Sequence, residues 1–137
     1  MQDKPEAADL MDAIQEFLMK EILPFVKERD DLSFKTLVSW NMLGVMAREF
    51  RTGEHCINAE LERLHALLNL NPDDPQLTTP ETYTEKMELC RQLNHKLAEQ
   101  IRNGHFEGDL TPDHPIWQHV RETLRETLSV SNPRFSV

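Results

Sequence analysis

The sequence is poor in glycine and cysteine, and each shortage excludes a class of site. Only four glycines occur in 137 residues, and they form neither a phosphate-binding loop nor a Gly-x-Ser-x-Gly nucleophile motif. The two cysteines, Cys56 and Cys90, have no CxxC or disulfide-framework spacing, so we expect free thiols. No apolar run reaches the roughly 18 residues that span a bilayer, and no signal region is visible, so we expect a soluble cytoplasmic protein.

Basic residues are also scarce. Fifteen Lys and Arg stand against 24 Asp and Glu, which gives a formal net charge of −9. Nucleic acids and anionic membranes both attract clustered basic side chains, so we expect neither as a partner. A chain of this length buries about two thirds of its extended surface in one core. We therefore predict a single acidic domain over residues 1–137, with an ordered core over about 6–130 and a tail over 131–137.

What the sequence does contain is helical periodicity, with apolar residues recurring every three or four positions. Pro24 should kink or end the first helix, Gly53 and Gly104 should end the second and fourth, and Thr79 should cap the fourth. The five predicted helices cover about residues 6–26, 33–51, 57–69 and 80–103, and a stretch that begins near 111 and ends before the tail. No alternating run is long enough to predict a strand. The fold class is therefore all-α, a single-domain bundle of about five helices.

The second predicted helix contains a stretch with no charge, between Lys35 and Arg48. Its apolar side chains occur all round the helical circumference, which is typical of a helix at the centre of a bundle. We therefore expect helix two to be the central helix. The fifth helix should bury Trp117, Val120 and Leu124 by the same periodicity.

A strip of polar residues interrupts this apolar helix. Asn41, Gly44 and Arg48 fall on one side of it, and Asn94 takes a core position on the fourth helix. Buried polar groups need partners, because an unpaired one costs roughly 1–3 kcal/mol. The strip is therefore either an internal clamp of the fold or the floor of a pocket. The candidate ligand-binding residues are Asn41, Gly44, Arg48, Glu49, Asn94 and Arg134.

Metal-binding and catalytic patterns are weak. Glu62 and His65 form one Glu-x-x-His unit, whereas a di-iron bundle needs two such units and two further glutamates. Cys90 lies on the apolar stripe and is poorly aligned with His95, so a thiol mechanism is disfavoured. We therefore predict no metal and no cofactor. No catalytic residue is assigned, and whether the protein is an enzyme stays undecided.

Three motifs carry a family resemblance that extends over about residues 10–135. They are Asn41-Met-Leu43 followed by Arg48-Glu49-Phe50, then Leu93-Asn94-His-Lys-Leu97 with Ile101, and finally Leu128-Ser-Val-Ser-Asn-Pro-Arg-Phe135. Together they resemble a bacterial family of small all-α domains with no assigned activity. The resemblance implies genomic neighbours that are aminoglycoside-phosphotransferase-like kinases or acyl-CoA dehydrogenases. It names no catalytic residue.

Two functions follow as alternatives. The first is a non-catalytic accessory or interaction module for a small-molecule-kinase-like or acyl-CoA-metabolising partner. The second is a small-ligand binder, or an enzyme without a recognised motif, with a polar interhelical pocket around Asn41, Arg48 and Asn94. A homo-oligomer is compatible with both. The ligand, the partner and the structural or functional role of the polar cluster are not fixed by the sequence.

Overall fold

The computed structural model describes residues 4–70, 80–106 and 111–135. These residues are 80% helical and contain no strand, which confirms the all-α class. The described ranges hold four helices, so the prediction of five is wrong. The chain divides into two compact units, residues 1–53 with 129–134 and residues 54–128 with 135–137. We call these unit 1 and unit 2. The single-domain organisation stays a prediction.

The first helix, α1, consists of three consecutive segments, Ala7–Phe17, Leu18–Ile22 and Leu23–Val26. The middle segment is a π-turn, in which the amide of Leu23 donates to the carbonyl of Leu18. Pro24 explains its position, because a proline has no N–H for the carbonyl four residues back and its ring crowds that turn. The helix then ends two residues beyond Pro24, close to the predicted boundary.

The second helix, α2, runs without a break over Asp30–Leu67. The predicted stop at Gly53 and the separate helix over 57–69 are therefore wrong. Gly53 is buried and does not adopt the positive φ of a helix-terminating glycine, and good helix formers follow it. The helix ends instead at Leu67. Asn69, two residues later, has a φ of 50°, and the Leu70 amide donates to the His65 carbonyl, which together form a Schellman motif.

The uncharged half of α2 is not buried all round. Among residues 36–47, only Gly44 and Ala47 are fully buried. Phe34, Met42 and Phe50 are 58–67% exposed. The prediction of a central helix two is therefore wrong for the described chain. Apolar side chains do occur all round this half of α2, but α1 and residues 129–131 cover only part of its circumference within unit 1.

Unit 2 carries the larger apolar core. Helix α3 spans Tyr83–Arg102 and begins with a capping box between Thr82 and Glu85, while the predicted cap Thr79 lies outside the described residues. Gly104, with a φ of 70°, follows its end as predicted. The fully buried cluster contains Leu61, Leu64, Leu68, Cys90, Leu93, Leu97 and Ile116.

Helix α4 spans Pro115–Ser131, so it begins about four residues later than predicted. It buries Ile116 and His119 and leaves Trp117, Val120 and Leu124 between 44% and 48% exposed. The prediction for the fifth helix is therefore wrong: the buried side of α4 is rotated by about a third of a turn from the predicted side. In the described ranges, none of the helices is both long and apolar enough to cross a membrane.

Candidate functional site

Unit 1 contains a polar cavity of about 340 Å³ beside the uncharged half of α2. Asn41 and Arg48 reach it from α2, and the end of α4 with the residues after it forms the other side. The lining residues are Trp40, Asn41, Arg48, Ser131, Asn132, Pro133 and Arg134. Three of the six candidate ligand-binding residues, Asn41, Arg48 and Arg134, therefore meet at one cavity.

Arg48 is held in place by the last turn of α4. Its Nε donates to the carbonyl of Val130 at 2.7 Å. Carbonyls in the last turn of a helix have no intrahelical donor, so this bond satisfies an acceptor that the helix leaves open. The side chain is half-buried. This contact uses Nε alone, and the Arg48 side chain also lines the cavity.

Close packing explains why a glycine occupies position 44 in the interior of α2. A Cβ at this position would lie 2.5 Å from the Nε2 atom of Gln15 and 3.2 Å from the Nη1 atom of Arg48. The same Gln15 Nε2 donates to the carbonyl of Trp40 at 2.6 Å and so ties α1 to α2. Gly44 therefore admits the Gln15 side chain and supports Arg48, but it does not line the cavity.

The cavity is rich in hydrogen-bond donors and in positive charge. Within the described residues, no Asp or Glu lies within 4.0 Å of the guanidinium nitrogens of Arg48 or Arg134 in an ion pair. Unit 1 has two further arginines: Arg51 pairs with Asp9 and Asp12, and Arg29 directly precedes α2. Guanidinium groups recognise carboxylates and phosphates through paired N–H bonds. The arrangement can therefore hold an anionic group.

Glu49 and Asn94 do not contribute to this cavity. Glu49 is half-buried and is absent from the lining residues. Asn94 belongs to unit 2, where its Nδ2 donates to Glu60 Oε1 at 2.7 Å. The sequence predicted that Asn94 needs partners but could not identify them, because Glu60 and Asn94 are 34 positions apart.

A buried histidine completes the Asn94 cluster. His119 is only 3% exposed, and its Nε2 lies 3.3 Å from Asn94 Oδ1. Because the amide nitrogen of Asn94 is directed to Glu60, its oxygen accepts, and the Nε2 of His119 carries the proton. Burial lowers the pKa of His119, and the nearby Arg63 acts in the same direction, while Glu60 and Glu126 oppose them. The lowered pKa favours the neutral ring, and its Nδ1 has no hydrogen-bond partner among the described residues.

Sequence reasoning missed His119 as a member of this network. Ile116 and His119 are three positions apart and lie on the buried side of α4. This spacing could have identified His119, but the prediction that the aromatic Trp117 is buried assigned the inward side of the helix to other residues. Arg63 lies nearby and forms a bidentate pair with Glu126, with an Nη1 to Oε1 distance of 3.0 Å. These contacts are internal to unit 2, and among the described residues they leave two buried nitrogens, Arg63 Nε and His119 Nδ1, without a hydrogen-bond partner.

Cys90 behaves as the sequence suggested. It is buried, and burial together with the Glu60 carboxylate raises the pKa of its thiol to about 12. A thiol with this pKa is protonated at neutral pH and is a weak nucleophile. His95 is exposed and lies 3.3 Å from Glu99 on its own helix. In the described part of the chain, no three His, Cys, Asp or Glu side chains form a group that could hold a metal ion.

Comparison with known proteins gives one finding. Residues 27–135 match the family model described as "Domain of unknown function (DUF6285)". No curated protein and no solved structure matches the chain.

Proposed function

The chain belongs to the DUF6285 family, a domain of unknown function, and we propose that it is a binding module that takes an anionic group in the unit 1 cavity. The observation that carries this proposal is the pair Arg48 and Arg134 at one cavity with no carboxylate in ion-pair contact among the described residues. A positively charged pair is unusual on a chain with a net charge of −9, where acids are abundant enough to neutralise it.

The lining supports a ligand that carries a carboxylate or a phosphate. Two guanidinium groups supply directional N–H donors, and Asn41 adds an amide that can donate or accept. Trp40 adds a half-buried indole beside them. The cavity of about 340 Å³ lies at the lower end of the range for small-molecule sites, so we propose a small anion or the anionic end of a larger ligand.

The experiment uses Trp40 as a fluorescent reporter. In a Trp117→Phe background Trp40 is the only tryptophan, since the chain has two. Inorganic phosphate and malonate are titrated separately, which distinguishes a phosphate site from a carboxylate site. We expect saturable binding of at least one probe, and Arg48→Gln or Arg134→Gln should weaken it by about tenfold or more, because each removes a charge-assisted hydrogen bond.

Arg102→Gln is the matched control, because it removes the same charge from an exposed position on α3. It should change the affinity by less than about twofold through the weak, screened effect of net charge alone. If neither probe binds saturably, or if Arg102→Gln weakens binding as much as Arg48→Gln, the cavity is not an anion site.

We keep the accessory role as a second candidate, because α4 presents an apolar ridge. Trp117, Val120 and Leu124 lie at i, i+3 and i+7 and are nearly half exposed. Exposed aromatic and aliphatic side chains in a row are typical of a surface that binds another protein. The partner implied by the resemblance is a phosphotransferase-like or acyl-CoA dehydrogenase protein. Co-expression with such a protein from the same genome should give a complex that Trp117→Ala weakens.

A further inference from the structure

Unit 1 exposes a second apolar surface that the cavity does not use. It consists of six large side chains, three on α1 and three on α2, and we call it the hairpin face. Its residues are Leu10, Ile14, Phe17, Met42, Met46 and Phe50, and they are between 41% and 65% exposed.

Contacts on the opposite flank of α1 fix the direction of its three residues. Gln15 points at α2, and Asp9 and Asp12 turn toward Arg51 on one flank of the helix pair. At 100° of rotation per residue, Leu10, Ile14 and Phe17 fall on the other flank, more than a quarter turn from the Gln15 direction. They form a row at i, i+4 and i+7.

The three residues on α2 share that flank. Arg48 faces residues 129–134, and Met46 lies 160° away from it around the helix. Met42, Met46 and Phe50 form a second row at i, i+4 and i+8. The two helices run antiparallel, because Asp12 meets Arg51 while Gln15 meets Trp40. Leu10, Ile14 and Phe17 are therefore level with Phe50, Met46 and Met42, respectively, and the two rows make one surface.

The area of the hairpin face fits a stable interface between two proteins. Large apolar side chains offer roughly 150–250 Å² each, and these six are about half exposed, so each copy presents on the order of 600 Å² of apolar area. A standard interface needs about 800 Å² from each partner, of which about 500 Å² is apolar. An area on the order of 600 Å² lies at the upper end of the range for the largest apolar patch on a typical monomer.

We propose that a second copy of this chain covers the hairpin face, so that two helix pairs form a four-helix bundle. A pair of antiparallel helices with one uncovered apolar side is half of such a bundle. The face contains no charged residue, so a copy can meet the same face of another copy without placing like charges in contact. Elsewhere two copies that each carry a charge of −9 repel one another. The independent cavity at Arg48 is not required for this association.

Sedimentation equilibrium of the purified chain tests the proposal. We expect a mass of twice 16.0 kDa at micromolar concentration and a reversible shift to the single chain on dilution. Met46→Glu should raise the dimer dissociation constant by at least about tenfold, because it buries a carboxylate in an apolar contact. Met87→Glu is the control: Met87 on α3 is 49% exposed, against 45% for Met46, and lies outside the face.

A second measurement does not depend on the folding of a variant. Chain labelled with photoreactive methionine is mixed with isotopically heavy chain, illuminated and digested, so that links between copies are separated from links within one. Links from Met42 or Met46 to α1 or to residues 30–53 of another copy support the proposal. A single-chain mass at all concentrations, equal dissociation by Met87→Glu, or a hetero-complex with another protein as the only stable assembly on this face would overturn it.

Discussion

At the scale of single residues, Asn94 joins α2, α3 and α4 of unit 2 through one amide. It donates to Glu60 and accepts from His119, so its removal leaves a carboxylate without its donor and a buried imidazole without its acceptor. We predict that Asn94→Ala lowers the free energy of unfolding by about 1–3 kcal/mol in urea denaturation followed by circular dichroism.

Gln92→Ala is the matched control for this change. Gln92 lies on the same helix, is exposed, and donates to Glu88 one turn earlier. Its replacement should change the free energy of unfolding by less than about 0.5 kcal/mol. Equal effects of the two substitutions would contradict the view that the Asn94 amide holds the three helices together.

The residue scale also shows what a sequence can reveal about a site. Helical spacing predicted that Asn41 and Arg48 share one side of α2, and both line one cavity with Arg134, although Asn41 is exposed and not buried as expected. The same reasoning put Asn94 with them, although Asn94 belongs to a separate network in unit 2. Helical spacing relates residues on one helix, but it carries no information on which side chain of another helix supplies the partner. His119 and Glu60 were missed for that reason.

At the scale of helices, Pro24 accounts for the π-turn of α1. The turn ends at Ile22, two residues before the proline, which cannot donate to the carbonyl of Lys20. We predict that Pro24→Ala raises the free energy of unfolding by about 1–3 kcal/mol in urea, because it restores the missing N–H and removes the crowding of the ring.

Pro115→Ala should have the opposite or no effect and serves as the control. Pro115 is the first residue of α4, a position where its fixed φ favours the helix and its missing N–H costs nothing. If Pro24→Ala proves neutral or destabilising while the helix content is unchanged, the proline is not the cause of the widened turn.

Helix boundaries were predicted well wherever the backbone chemistry decides them and poorly where packing does. Gly104 adopts the left-handed conformation just after the end of α3, and Asn69 does the same after the end of α2. Gly53 gives the same signal in the sequence, yet α2 continues through it. A glycine permits a helix to end, but it also fits where a side chain has no room, and the sequence alone cannot separate these two uses.

At the scale of the whole molecule, the apolar pattern predicted the all-α class and most helical segments, because periodicity is a local property. The same pattern predicted more burial of the apolar residues of α1 and α2 than the structure shows. The apolar residues of α1 and α2 are real features of the sequence, but a pattern cannot say whether the surface that covers them belongs to the same chain or to another. The hairpin face is such a case, because its apolar side chains are exposed within one chain.

The salt dependence of self-association distinguishes an uncharged interface from one held by ion pairs. Two copies with a net charge of −9 repel each other over about 10 Å at 0.1 M salt and over only about 3 Å at 1 M. If the contact is the uncharged hairpin face, salt weakens the repulsion between the two copies and leaves their attraction unchanged, because no ion pair holds the contact together. We therefore predict that the dimer dissociation constant falls about three- to tenfold between about 0.1 M and about 1 M sodium chloride.

Sedimentation equilibrium at the two salt concentrations measures this change, with Met87→Glu as a control that adds one negative charge outside the face. Because that variant carries more repulsive charge, its dissociation constant should fall by at least as much as that of the wild type. An interface built on charge pairs would respond in the opposite direction, since screening weakens them. A dissociation constant that rises with salt would place the contact between copies on the charged surface and away from Leu10, Met46 and their neighbours.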